Sequence, residues 1–385
     1  MAIDDTSRIE TTHIGSLPRP PELLDLLRTR QSGGDVDPDE WERVSSEATD
    51  DIVDRQLATG IDEINNGEQP RVSFNYYVGE RLTNIGGQRE QALWADLEEY
   101  PAVAEDTFET DVIDLASQPA VTGEIRYDGY DEAEREIEQF HDALEGTDVD
   151  IEDTFFTTAS PSVVAATHVD EHYGDHEEYV SAIADAMAEE YQLYADTGAT
   201  IQIDAPDLLA TGHSHLFADN SVEEFRGIVE MHVDALNEAL SGIPEEQVRL
   251  HTCWGSYEGP HHLDTDLADM LPTLYEADIS GLSVEQANPR HQHEYRAFAE
   301  HPLPDGWTLI PGVVDVKTNI IDHPETIADR IERVANTVPD DTKIVAAPDC
   351  GFGTQAGLGM VHPDIAWPKL EALVEGAEIA SERLD

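Results

Sequence analysis

The chain has almost no basic character. Lysine stands only at Lys317, Lys343 and Lys369, and 21 lysines and arginines face 83 aspartates and glutamates over 385 residues, a formal charge of −62. A field of that sign repels nucleic acid and anionic membranes, so neither is an expected partner. Long apolar runs are missing too. No window approaches the roughly 18 unbroken apolar residues of a membrane span, and the start MAIDDTSRIETTHIG lacks the basic cluster and apolar stretch of a secretory signal. A cytoplasmic protein is expected. Cysteine is scarce: Cys253 and Cys350, far apart in sequence, are weak ground for a disulfide. No G-x-G-x-x-G follows the first strand-like run, and neither a repeat nor a low-complexity linker divides the chain.

What remains is a foldable core under an acidic surface. Apolar and aromatic residues make up 39% of the chain and recur in organised runs, which excludes an acidic disordered protein. The carboxylates interrupt those runs at helical intervals. Their mutual repulsion is screened once the Debye length falls to about 3 Å near molar salt, so the composition reads as halophilic, an adaptation to a salt-rich cytoplasm. The thermal unfolding midpoint is therefore expected to rise as KCl is added; a midpoint that falls would contradict this reading.

Strand-like runs occur at Ile61–Asn65, Ala120–Glu124, Asp153–Thr157, Thr200–Asp204, Val248–Thr252, Ile279–Val284, Thr308–Val314 and Lys343–Ala347. Helical segments alternate with them, including Pro38–Thr59 behind Asp37, His176–Asp196, Val222–Leu240 behind the capping box Ser221/Glu224, Asp264–Glu276, Pro324–Val338 and Pro363–Leu384. Alternation gives a parallel sheet with helices outside, and this number of units closes a (β/α)8 TIM barrel in a single domain over residues 1–385. The stretch Gln69–Pro119 is longer than an ordinary crossover and is expected to be an irregular insertion after the first strand, lying over one barrel end.

Catalytic groups of such a barrel sit where strands end. The ends read Asn66-Gly67-Glu68, Asp204-Ala205-Pro206, His251-Thr252-Cys253, Glu285, Asp315 and Pro348-Asp349-Cys350-Gly351. His251 and Cys253, two apart on a strand, point to one face and can share an ion, although a buried free cysteine packs as readily without one. Cys350 also follows a strand, and Glu285 is the natural oxygen donor to complete the set. Sulfur with nitrogen favours zinc over magnesium or calcium. A zinc ion held by two thiolates suits the activation of a substrate thiol better than hydrolysis. The loop histidines His261, His262, His291 and His293, and the pair His213 and His215, are expected to be solvated or bonded to backbone.

With these residues in place the sequence resembles the catalytic barrel of cobalamin-independent methionine synthase, and more closely its short single-barrel relatives. The likeness runs in order from Thr11-Thr12-His13-Ile14-Gly15-Ser16-Leu17-Pro18-Arg19-Pro20 through Gly67-Glu68, Ile201-Gln202-Ile203-Asp204-Ala205-Pro206, His251-Thr252-Cys253 and Glu285 to Pro348-Asp349-Cys350-Gly351. The resemblance implies a methyltransferase that makes methionine from homocysteine. It implies His251, Cys253, Glu285 and Cys350 as zinc ligands, Ile14 and Ser16 as contacts to the thiol substrate, and Glu68 and Asp204 as partners of its ammonium group. The chain also departs from the pattern. The extra N-terminal barrel of full-length synthases is absent, and Asp315-Val316-Lys317 stands where the family has Asp-Ile-His, so Lys317 replaces the histidine that protonates the leaving amine. The methyl donor is then either a methyl-folate or a methyl-corrinoid protein.

A second relative, epoxyalkane:coenzyme M transferase, shares the single barrel and zinc site but takes a sulfonated thiol. Its pocket would need arginine, and Arg19, Arg71, Arg126 and Arg290 are the candidates, each of which reads equally well as a surface ion-pair partner. A non-catalytic barrel that binds zinc or a thiol metabolite is the alternative from a different class.

Overall fold

The computed structural model describes residues 8–90, 95–103, 117–210 and 220–384. The strands in chain order are β1 (Glu10–Thr11), β2 (Ile85–Glu90), β3 (Ser117–Val121), β4 (Phe155–Ala159), β5 (Val169–Asp170), β6 (Thr200–Asp204), β7 (Val248–Thr252), β8 (Gly281–Val284), β9 (Thr308–Val314) and β10 (Lys343–Pro348). Seven of them form a parallel sheet in the order β1-β10-β9-β8-β7-β6-β4. The gap between β4 and β1 is bridged by residues 61–65: Ile64 pairs in parallel with Thr154, and Asp62 N and Glu63 N donate to Thr11 O, both at 3.1 Å. The sheet thus curls round on itself as a TIM barrel. Helices Pro38–Thr59, His176–Ala195, Val222–Ala239, Pro324–Ala335 and Pro363–Leu384 are among those that surround it.

Eight positions do line the ring, but their membership differs from the sequence expectation in one place. Ala120–Glu124 is not a barrel strand. The extended run there is β3, which pairs antiparallel with β2 and parallel with β5 in a separate small sheet. The vacant place is taken by β1, which is only two residues long and polar and so carries no hydrophobic alternation to reveal it. The irregular insertion consequently follows the second barrel position, not the first. Its described part does reach over the strand ends: Asp96 Oδ2 accepts from Tyr257 OH at 2.7 Å and His261 N at 3.0 Å.

Local signals set several helix ends as expected. Asp37 accepts from Asp39 N ahead of Pro38, and Ser221 and Glu224 form the reciprocal capping box. Helix Tyr130–Leu144 has a different logic. Its inward stripe mixes Ala133 and Phe140, the latter packed edge-on against Phe156 in the core, with Glu136, which meets a buried ionic network, and Gln139, which donates to Glu42 and Ser45. Glu136 pairs with Arg71 at 2.9 Å and Arg81 at 2.5 Å, and Arg81 pairs with Glu190 at 2.8 Å, all of them buried. Arg71 Nη1 also donates to Thr157 O of β4 at 2.8 Å, so the network fastens the insertion to the barrel.

Burial alone would push the Glu136 carboxyl up, but Arg71 and Arg81 hold it down at about 2. Its stabilising effect is therefore full above the ordinary value of 4.5 and is lost as pH falls through about 2. Glu136→Gln leaves buried Arg71 without a carboxylate and Arg81 with Glu190 alone, and is expected to cost about 3–5 kcal/mol in denaturant unfolding at neutral pH. The gap to the parent protein should narrow in acid; a gap that is small at neutral pH would show that the network contributes little. Among the described residues no helix is long and apolar enough to cross a membrane.

Candidate metal centre and active site

The barrel mouth brings the sequence candidates together. A cleft of about 390 Å³ is lined by Ile14, Ser16, Glu68, Asp204, His251, Cys253 and Cys350, joined by Phe74, Pro206, Gly255, Ser256, Gly351 and Thr354. Its floor is chemical. One donor atom from each of His251, Cys253 and Cys350 lies within 4.8 Å of the other two, and all three residues are buried. β7 supplies the first pair on one strand face, while Cys350 follows the register shift at Ala347/Pro348 that ends β10.

Both thiols are free, and their protons are held unequally. The adjacent Cys253 thiol and the His251 ring hold Cys350 well below its ordinary range against the effect of burial, whereas Cys253 is pushed up. His251 Nδ1 meets Ser283 Oγ at 3.2 Å, and among the described residues its buried Nε2 has no hydrogen-bond partner. A thiolate, a second thiol and an orphaned imidazole nitrogen form the donor set that a soft divalent ion such as zinc takes, replacing the shared proton. The residues fit the metal.

Glu285 stands outside this trio. Its Oε1 accepts from Lys317 Nζ at 2.5 Å and from Asn288 Nδ2, and its Oε2 accepts from Trp254 N at 3.3 Å. Burial would push this carboxyl up, but Lys317 and His291 hold it at about 2. Asp315 shapes the turn that aims Lys317: Oδ1 accepts from Lys317 N at 3.1 Å and Oδ2 from Thr318 Oγ1 at 2.6 Å.

Glu68 and Asp204 occupy the other side of the cleft. Glu68 sits at φ +53° in a turn closed by Asn66 Oδ1; its Oε1 accepts from Thr157 Oγ1 at 2.9 Å, and among the described residues its Oε2 has no hydrogen-bond partner. Asp204 accepts only from Gln202 Nε2 at 2.8 Å among the hydrogen bonds of its side chain in the described residues. Burial pushes it up to about 8, with the His251 charge opposing and the Glu68 charge adding. Both carboxyl groups face one cleft and are raised by burial, with the charges of Arg71 and Arg19 opposing the rise at Glu68. The first loop is drawn tightly against them. Gly15 has φ +107°, and a Cβ there would lie 2.6 Å from Glu68 Oε1 and 2.5 Å from Thr157 Cγ2, so only glycine fits.

Three features escaped the sequence. Asp349, beside Cys350, accepts from the backbone of Gln286 and Ala287 at 2.8 Å each and of Asn288 at 3.1 Å, which binds the loop after Glu285 to the loop carrying Cys350. Its place next to a strand-end cysteine was the available signal. Second, His261 does bond to backbone, its Nε2 lying 3.1 Å from Tyr257 O, but neither His261 nor His291 is solvated. Both are buried and share Asp264 Oδ2 at 2.8 Å, and His291 stacks on Trp254 with centroids 3.9 Å apart. His262 and His293 do lie at the surface beside Glu99 and Glu294, while His213 and His215 fall outside the described residues. Third, none of the candidate arginines lines the cleft. Arg19 is spent on the carbonyls of Gln69, Gly353 and Glu68, Arg71 on Glu136, and Arg126 on exposed Glu124; Arg290 is exposed.

A family model described as the catalytic domain of cobalamin-independent synthase matches residues 157–375. The chain belongs to this family. Among curated relatives, the methionine synthase of Sulfolobus acidocaldarius is 23% identical over 99% of this chain and 95% of its own length. The 2-hydroxypropyl-CoM lyase of Xanthobacter autotrophicus is 28% identical, but the match covers 59% of this chain and 61% of that protein. The solved B12-independent methionine synthase of Shewanella sp. W3-18-1, in complex with selenomethionine, shares the fold with a TM-score of 0.71 at 21% identity, covering 98% of this chain and 99% of that one.

Proposed function

We propose that this single catalytic domain methylates homocysteine to methionine in the cytoplasm, with zinc held by His251, Cys253, Glu285 and Cys350 and no cobalamin of its own. The observation that carries the reading is the pair of buried carboxyl groups, Glu68 and Asp204, in a cleft without arginine. Such a cleft suits a thiol bearing an ammonium group and not one bearing a sulfonate. Zinc, when bound, supplies a site at which the substrate thiol ionises near neutral pH. The chain does the rest. Glu68 and Asp204 fix the amino end, Ile14 and Ser16 close over the substrate, and the buried floor excludes water, so that sulfur and methyl carbon meet in line. The thiol gives up its proton, the S–CH3 bond forms, and the bond from methyl to its donor breaks with the electron pair left on the donor.

Lys317 bears on the choice of donor. Burial would lower its pKa, but Glu285 raises it, so its ammonium group is a reluctant acid. A folate donor needs a proton on its leaving amine; a methyl-corrinoid does not, and is the donor this site suits better.

The likeness to the coenzyme M lyase keeps a second reading in play. The test incubates zinc-loaded protein at high KCl with homocysteine and either methylcobalamin or methyl-folate, and in parallel with coenzyme M and an epoxide. Methionine formed from methylcobalamin supports the proposal. Thioether formed only from coenzyme M replaces it, and no product from any pair leaves a binding protein in its place.

A further inference from the structure

The side chain of Glu68 is aimed by residues that lie outside the cleft. Glu136, buried on helix Tyr130–Leu144, has Asn66 and Arg71 among its partners. Its Oε1 accepts from Asn66 Nδ2 at 2.7 Å and lies 2.9 Å from Arg71 Nη2, and its Oε2 accepts from Arg71 Nε at 3.2 Å. Each partner passes the constraint on to Glu68. Because the Asn66 amide gives its N–H to Glu136, its Oδ1 is turned to accept from Glu68 N at 2.9 Å. Because a guanidinium can only donate, Arg71 Nη1, 3.1 Å from Thr157 Oγ1, commits the hydroxyl proton of Thr157 to Glu68 Oε1 at 2.9 Å. We infer that Glu136 and Thr157 are positioning residues of the substrate site: two hydrogen-bonded arms, one through Asn66 and one through Arg71 and Thr157, hold the backbone and one carboxylate oxygen of Glu68 and leave Oε2 for the ammonium group of the thiol.

The inference rests on the reading of Glu68 as an ammonium partner and concerns what orients it. None of Glu136, Asn66, Arg71 and Thr157 lines the cleft. The turn needs holding, since Glu68 is not glycine yet sits at φ +53°. Its carbonyl is held as well, by Arg71 N at 3.1 Å and Arg19 Nη2 at 2.8 Å. With both backbone groups and Oε1 engaged, Oε2 is the oxygen left without a hydrogen-bond partner among the described residues. The Arg71 charge also opposes the rise that burial imposes on Glu68. That favours the ionised carboxylate, the form that pairs with an ammonium group.

The test compares homocysteine with 4-mercaptobutyrate, the same thiol without its amino group, binding to zinc-loaded protein at high KCl. The ratio of the two affinities isolates recognition of the ammonium group. The parent should prefer homocysteine by about 10- to 100-fold. Thr157→Val keeps the shape of the side chain and the bond from Arg71 to the carbonyl of residue 157 at 2.8 Å, and removes only the hydroxyl. It should cut the preference about fivefold, while Thr157→Ser retains it and zinc content stays that of the parent. Glu136→Gln should lose at least as much, and adding Thr157→Val to it little more, because both act on the same carboxylate. Should Glu136→Gln fail to fold, Thr157→Val and Thr157→Ser still decide. An unchanged ratio in Thr157→Val, or an equal loss for both thiols, overturns the inference and leaves Glu68 as the ammonium partner. A parent that does not distinguish the two thiols removes that reading and the inference with it.

Discussion

Cys350→Ser yields a folded barrel that no longer retains zinc and no longer turns over. The side chain changes by one atom at a buried strand end, and neighbouring contacts such as Phe352 N to Ser16 O at 2.9 Å are made by backbone, so unfolding is not expected. The hydroxyl is not ionised at neutral pH and cannot replace a thiolate whose proton the Cys253 thiol and His251 already displace. Losing one of the two sulfur donors should weaken zinc by more than about 100-fold, beyond the 10- to 100-fold typical of residues that merely orient a ligand. Activity should fall to a few per cent or less. Metal analysis after gel filtration, with circular dichroism as the folding control, checks both. A variant that keeps stoichiometric zinc and full turnover refutes the metal assignment.

Glu68→Gln and Asp204→Asn should leave zinc in place and damage recognition of the amino acid. Hydrogen bonds to charged groups contribute about 1.5–3 kcal/mol, so either variant should lose roughly 10- to 150-fold in kcat/KM for homocysteine, mostly through a higher KM. The pH dependence has a definite sign. Burial keeps Asp204 protonated up to about 8 in the free protein, so pairing with an ammonium group requires it to lose that proton. Homocysteine binding should strengthen as pH rises towards 8 and flatten in Asp204→Asn. Steady-state kinetics at several pH values with zinc content measured in parallel would expose an error: unchanged KM in both variants would mean that the ammonium group binds elsewhere.

The parts of this protein legible in the sequence are those whose cause is local. Helices Pro38–Thr59 and Pro363–Leu384 and strands β6, β7 and β9 carry their own caps, prolines or β-branched runs and fall where the pattern places them. β1 was hidden because two residues carry no period, and β3 misled because an extended run does not state which sheet it joins. Helix Tyr130–Leu144 was missed because charged and polar residues interrupt its buried stripe, where Glu136 meets Arg71 and Arg81 beside Phe140 of the core. The same division holds in the cleft. His251 and Cys253 are neighbours on a strand, so their convergence is local. The capture of Glu285 by Lys317 depends on loops of two different strands meeting in three dimensions. The burial of His261 and His291 around Asp264 likewise depends on two loops meeting.

The most direct test of the central claim is calorimetric titration of homocysteine into zinc-loaded protein at high KCl, repeated in buffers of different ionisation enthalpy. Release of about one proton per thiol bound, and no binding to zinc-free protein, is the result expected if the thiol ionises at the centre formed by His251, Cys253 and Cys350. Binding without proton release, or equal binding with and without zinc, would contradict it.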